Sequence, residues 1–289
     1  MIKLVTQGRK EIGWGDRANA FNGCSRDCLY CYAKYFRCYR FRQIPAEQWS
    51  QMKLKPGITA KKWPKPNPRW GRYMFPTAHD ITNNPWVRDP CFAVIQSILQ
   101  QGYEILIVTK PEFEVIKLLC LIFRQYREKI ELRFTITSAD EKLLKFWEPN
   151  APSFRERFFA LKHAYLCKFK TSVSIEPFLD NNPIPLIKRV AKFCDTIWIG
   201  PMNYIEEFVK ENVKEAGQSW PVGFEERYSF ENLYSIYQVI KKYPQIRFKD
   251  AFLNEIEAKV GVKCNQRKTD NKIPRILMTQ IQSTLDDFA

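Results

Sequence analysis

Several absences narrow the reading first. No run of apolar residues is long enough to cross a bilayer, so no segment reads as a membrane-spanning helix. There is no internal repeat and no low-complexity tract, and nothing in the composition marks a disordered chain. The opening segment MIKLVTQGRKEIGWGD is too polar and too interrupted for a secretory signal, so a cytoplasmic location is expected. Histidine is scarce, with only His79 and His163, and acids are outnumbered: 31 Asp and Glu face 46 Lys and Arg, a formal net charge of +15.

Aromatic side chains and cysteines are plentiful. The 289 residues include 21 Phe, 13 Tyr and 8 Trp, enough apolar surface for a packed core in one large domain or two small ones. In a reducing compartment the nine cysteines point to metal binding, catalysis or burial before disulfides.

The excess positive charge is concentrated. Between Lys34 and Arg72 eleven basic residues face one acid, Glu47, and Tyr35, Phe36, Phe41, Trp49, Trp63 and Trp70 are interleaved among them. Cations with stacking partners suit a nucleic acid; a solvated surface that keeps the protein soluble explains the charge equally well. Within this stretch four prolines make residues 55–71 an extended, stiff loop.

Downstream, short β-rich runs alternate with helical patterns. Strands are expected at Arg72–Pro76, Glu104–Thr109, Glu131–Thr137, Thr171–Ile175 and Thr196–Gly200, with weaker signals at Arg17–Phe21 and Gln245–Phe248. Helical periodicity marks 112–126, 152–166, where Pro152 suits the first turn, and 228–243. Such alternation gives an α/β fold with a parallel sheet, either open or rolled into a partial barrel. Alternation within strands favours the barrel: Arg133, Thr135 and Thr137 share one face, as do Ser172, Ser174 and Glu176. A strand covered by helices on both sides would be apolar on both, whereas a lumen holding a polar ligand needs this pattern.

The strongest chemical signal is NGCSRDCLYCYAKY, with Cys24, Cys28 and Cys31 at spacings of four and three. Soft thiolates select iron–sulfur clusters, zinc or copper(I). A cluster used only for electron transfer takes four cysteines, so three leave an iron open to a ligand. Cys38, seven residues past Cys31, would sit about 10 Å along a helix, too far to fill that position. Cys91, Cys120, Cys167 and Cys194 read as core residues, and Cys264 as either core or ligand. The alternative is structural zinc on the same three cysteines and one distant ligand.

CSRDCLYC resembles the CxxxCxΦC signature of the radical S-adenosylmethionine (SAM) superfamily, with Tyr30 at the aromatic position. The likeness runs over about residues 15–205 and leads towards the spore photoproduct lyase-like, or DNA repair photolyase-like, branch. It is carried further by Thr109–Lys110 ending a strand and by PSFRERFFALKHAYLCKFKTSVSIEPFLD. The resemblance implies a partial (β/α)6 TIM-type barrel over residues 1–250, with the basic, Pro-rich segment at about 40–71 as an insertion and 251–289 as a C-terminal extension. It also implies a [4Fe–4S] cluster on Cys24, Cys28 and Cys31. SAM would chelate the open iron, and an external one-electron reductant, flavodoxin- or ferredoxin-like, would drive its cleavage to a 5′-deoxyadenosyl radical.

Ligands of such barrels gather at the carboxyl ends of the strands. Tyr30, Thr77, Lys110, Thr137, Ser138, Ser174 and Glu176 are therefore candidates for holding SAM. Tyr30 would lie against the adenine, Lys110 near the SAM carboxylate, and Ser174 and Glu176 near ribose or substrate. Thr77 and Asp80 stand where the family often carries a Gly-Gly-Glu motif. His79 and Asp80 are the catalytic candidates, and His163 is expected to be structural. Three functions follow: radical chemistry on a nucleic acid, the same chemistry on a peptide or small metabolite, or a non-catalytic metal-containing nucleic-acid-binding protein. Spore photoproduct lyases use a further cysteine as hydrogen-atom donor, and no cysteine of this sequence can be matched to it.

Overall fold

The computed structural model describes residues 16–260. Six of the expected strands form in one sheet with a seventh, β1 (Asp16–Arg17), which keeps only Arg17 of the expected Arg17–Phe21: β4 (Arg72–Phe75), β5 (Glu104–Thr109), β6 (Ile130–Thr135), β7 (Lys170–Ile175), β8 (Thr196–Ile199) and β9 (Ile246–Phe248) complete it. Each pairs in parallel with the next, in chain order. Among the described residues β1 and β9 stay unpaired on their outer sides, so the sheet is a barrel left open at one seam. Two further short strands, β2 (Phe21–Asn22) and β3 (Lys53–Leu54), make an antiparallel ribbon beside the cysteine loop.

Strand residues divide by face as the alternation requires. Leu132, Phe134, Val173, Ile175, Ile197 and Ile199 are fully buried against the outer helices. The opposite faces turn Val108, Arg133, Thr135 and Ser174 into a shared cavity. An open sheet buried on both sides would leave no such polar interior; the structure is an α/β partial TIM-type barrel.

The connecting helices begin where side chains can cap them. Asn84 accepts a bond from the Trp86 N–H (3.0 Å) ahead of Pro85–Gln100, and Asp140 from the Lys142 N–H (2.7 Å) ahead of Glu141–Trp147. Ser153 caps Phe154–Leu166 through the Glu156 N–H (3.2 Å), so Pro152 precedes the cap and does not occupy the first turn. The pattern over 112–126 resolves into Phe113–Ile122 and a tighter turn, Arg124–Lys129. Periodicity does not reveal Pro85–Gln100, where Pro85 opens the helix and Pro90 interrupts the pattern. The helix Asp250–Val260 buries Phe252 and Ile256 in the same core as the barrel. Cys264 lies outside the described residues.

Candidate active site

A cavity of about 900 Å³ fills the barrel mouth, and Cys24, Cys28 and Cys31 all line it. The loop that carries them is fixed from several sides. Gly23 adopts φ +86°, and a Cβ there would run into the Trp49 carbonyl oxygen, which accepts the Cys24 N–H at 2.8 Å. Leu29 donates its N–H to the Trp147 carbonyl (2.9 Å), and its own carbonyl accepts from Asn212 Nδ2 (2.7 Å). Between these points Arg26 reaches Asp80 (3.0 Å), Glu112 (2.6 Å) and the Asn150 carbonyl (3.0 Å). One guanidinium thus ties the loop to the exits of β4 and β5 and to the turn after Glu141–Trp147.

The donor set fits a cluster better than a single ion. Tetrahedral zinc holds sulfurs about 3.8 Å apart, from its Zn–S bond of about 2.3 Å. The three loop sulfurs do not all lie within 4.8 Å of one another, a condition that a different trio meets among the described residues. Thiolates on three separate irons need the wider spacing. Burial pushes Cys24 and Cys28 up to about 12 and Cys31 to about 11, so the bare thiols hold their protons and a metal must displace them. Cys38 is buried with Trp49 and Ala33 and does not line the cavity.

The remaining candidates separate into those that face the cavity and those that do not. Tyr30, Thr77, Lys110, Ser174 and Glu176 line it. Lys110 Nζ sits 5.4 Å from the centre of the Tyr30 ring, whose hydroxyl donates to Glu148. Burial alone would lower the Lys110 ammonium, but Cys28 and Glu148 hold it above the ordinary lysine value. Glu176 pairs with Lys249 at 2.5 Å, and Gly200 leaves the room for that pair. Thr77 is committed to Asn19, whose Oδ1 accepts from its N–H (2.7 Å) and whose Nδ2 donates to its hydroxyl (2.7 Å).

Thr137 and Ser138 do not reach the cavity. Strand β6 ends at Thr135, and neither residue lines the cavity. Both side chains are fully buried, Thr137 bonding Glu148 (2.7 Å) and Ser138 bonding Asp180 (2.6 Å). Their place in the lumen is taken by Thr135 and Arg133.

His79 and Asp80 lie at the cavity wall with their polar atoms occupied. His79 Nε2 accepts the Ala20 N–H at 3.0 Å and Nδ1 faces the Asp80 carbonyl at 3.0 Å, which fixes a neutral ring. Burial lowers His79 to about 4, and Phe21 and Phe75 pack edge-on around it. Asp80 accepts from Arg26, from the Ile81 N–H (2.8 Å) and from Thr109. Both residues hold the wall and the loop; neither offers a free atom to a substrate.

Arg26 and Lys249, which the sequence patterns do not single out, line the cavity together with Arg133. Arg133 is held in the lumen by Ser172 (3.0 Å), Glu131 (2.9 Å) and the face of Trp198 (5.0 Å). Its position on the polar face of ELRFTIT is the one signal that points to it. The interleaved aromatic stretch also divides: Trp49 and Trp63 are core, whereas Phe36, Arg37, Phe41 and Lys55 rim the cavity.

No family model matches the chain. The uncharacterized protein ORF301 of Acidianus two-tailed virus is 26% identical over 182 residues, and the match spans 61% of this chain and 60% of that protein. Among solved structures, a spore photoproduct lyase variant with bound AdoMet and dinucleoside spore photoproduct superposes with a TM-score of 0.56 at 14% identity. It covers 81% of this chain and 75% of its own. Another spore photoproduct lyase, complexed with the same dinucleoside, gives 0.54 at 13% identity over 80% of this chain and 74% of its own. The chain therefore has the fold of spore photoproduct lyase, the fold expected from the resemblance of its cysteine motif.

Proposed function

We propose that this chain is a radical SAM enzyme that acts on a nucleic acid. The observation that carries the reading is the convergence of Cys24, Cys28 and Cys31 on a barrel cavity of about 900 Å³ that Lys110, Arg133, Ser174 and Glu176 also line. A structural metal in a binding module would need no such interior. The volume is that of a site for a cofactor together with part of a substrate.

Cys24, Cys28 and Cys31 would hold the [4Fe–4S] cluster, which when bound would supply the electron that splits the SAM sulfonium into methionine and a 5′-deoxyadenosyl radical. The protein's share is placement. Lys110, kept charged beside Tyr30, is suited to the SAM carboxylate. Tyr30 offers a ring face for adenine, and Ser174 with Glu176 offers ribose partners. Arg133 at the lumen floor and the Glu176–Lys249 pair would hold substrate and cofactor in register, and the surrounding wall would keep water from a radical. An external one-electron reductant is required by this chemistry.

Charge at the rim supports the nucleic-acid substrate. Arg37 and Lys55 stand at the opening with Phe36 and Phe41. The solved relatives carry a dinucleoside photoproduct in the same fold. No helix of the described residues is long and apolar enough to cross a membrane, and a cytoplasmic enzyme remains the reading.

The test is anaerobic reconstitution with iron and sulfide, reduction in the presence of SAM, and detection of 5′-deoxyadenosine. Formation of 5′-deoxyadenosine that is lost in Cys28→Ala is expected. A zinc-loaded protein that forms none would overturn the reading. Binding to single-stranded DNA should weaken steeply as salt rises; a flat salt response would remove the nucleic acid as substrate.

A further inference from the structure

The trio that does converge to single-ion spacing lies away from the cavity, on the outer helices. Cys120 comes from Phe113–Ile122, and His163 and Cys167 come from Phe154–Leu166 and its C-cap. Their ligand atoms all lie within 4.8 Å of one another. None of the three lines the barrel cavity. In the sequence each reads as a core or structural residue, because only the packed helix pair brings them together.

We propose that Cys120, His163 and Cys167 form a zinc site that clamps these two helices together. The geometry agrees with zinc. Bonds of about 2.3 Å to sulfur and about 2.0–2.1 Å to nitrogen, at tetrahedral angles, set an S···N edge of about 3.6 Å. Cys167 Sγ lies 3.5 Å from His163 Nε2. His163 and Cys167 are four residues apart and share one helix face, and Cys120 approaches from the neighbouring helix.

The position of Cys167 is built, not incidental. Lys168 takes φ +64° with no glycine to ease it, and its N–H bonds the Tyr165 carbonyl (2.9 Å). The Phe169 N–H bonds the Ala164 carbonyl (3.2 Å), completing the paired bonds that lock a helix end. Cys167 is thereby held at the last turn, facing His163. Cys120 is buried and raised well above the ordinary thiol value, first by burial and then by Cys167, so the two sulfurs already interact as thiols.

Binding would be balanced: one Zn²⁺ enters, two thiols release two protons, and the site becomes neutral. His163 would bind as the neutral ring through Nε2. Cys167 and His163 are half-buried, so the fourth position opens to the outer surface and takes a water. No redox partner is needed.

The full-length chain, with iron reconstituted where it accepts iron, is incubated with zinc, desalted and analysed for metal. The wild type should hold one more equivalent of zinc than Cys167→Ser or His163→Gln, both half-buried changes whose folding is checked by circular dichroism. Zinc should also raise the unfolding midpoint of the wild type and leave those variants unmoved. This difference holds whether the cysteine loop carries iron, zinc or nothing, so it stands apart from the radical SAM reading. Equal zinc content in wild type and variants would overturn the proposal. So would a Cys120–Cys167 disulfide, found by alkylation and mass spectrometry, with no zinc retained.

Discussion

Arg26 Nε lies 3.0 Å from Asp80 Oδ2, and both side chains are more than nine-tenths buried. This contact couples the cysteine loop to the wall of the barrel. The residue between the first two cysteines is thus a positioning residue for all three, and Asp80 serves the site by holding Arg26.

Removing the guanidinium strands two carboxylates, Asp80 and Glu112, in a buried place. Arg26→Ala should lose about 3–5 kcal/mol of stability, the usual cost of breaking a buried ion pair from one side. Denaturant unfolding measures this. Iron content after reconstitution should fall with it, since the loop loses its central anchor; unchanged stability and full iron loading would contradict the assignment.

His79 sets a pH dependence with a defined sign. Its folded value is about 4, below the ordinary histidine value of about 6.5. Between those limits the unfolded chain takes up a proton that the folded chain refuses. Stability is therefore full above pH about 6.5 and declines by up to about 3 kcal/mol as pH falls to about 4. Unfolding curves across that range should show the slope, and His79→Gln should remove it. The yield of 5′-deoxyadenosine should show no inflection from His79 above pH 5.

Glu131, buried beside Arg133 on β6, acts in a lower window. Burial would raise its carboxyl, but Arg72 (2.7 Å), Arg133 (2.9 Å) and Lys170 (3.4 Å) hold it well below the ordinary range. A depressed carboxyl contributes stability that is present above about pH 4.3 and is lost as pH falls through its folded value. Glu131→Gln should cost about 3–5 kcal/mol at pH 7, and the gap to wild type should narrow at pH 3. Urea titrations at the two pH values decide it.

Gly200 is needed for space. A Cβ there would stand 2.8 Å from Lys249 Cγ, 2.9 Å from its Cβ and 3.2 Å from Glu176 Cγ. Gly200→Ala should force the Lys249–Glu176 pair apart, costing about 1–3 kcal/mol as overpacking does. SAM affinity, measured by calorimetry, should weaken in the same variant. Unchanged stability and affinity would show that the pair can shift freely.

The sheet is legible in the sequence because strand alternation and strand spacing are local. Alternation alone puts Arg133 and Ser174 on the polar faces of their strands. The places where strands end are less legible: Thr137 continues the polar alternation in the sequence but lies past the end of β6. His79 and Asp80 read as reactive because polar residues at strand ends serve both chemistry and bracing, and only Ala20, Arg26 and Thr109 reveal which. Arg26 and the Cys120, His163 and Cys167 trio depend on contacts between distant segments, which no periodicity carries.

The most direct measurement is electron paramagnetic resonance of the reduced, iron-reconstituted protein with and without SAM. An iron left open by three cysteines predicts a [4Fe–4S]⁺ signal whose shape changes when SAM is added, and no such signal in Cys28→Ala. A signal indifferent to SAM, or a protein that holds zinc and no iron in the Cys24, Cys28 and Cys31 loop, would contradict the account.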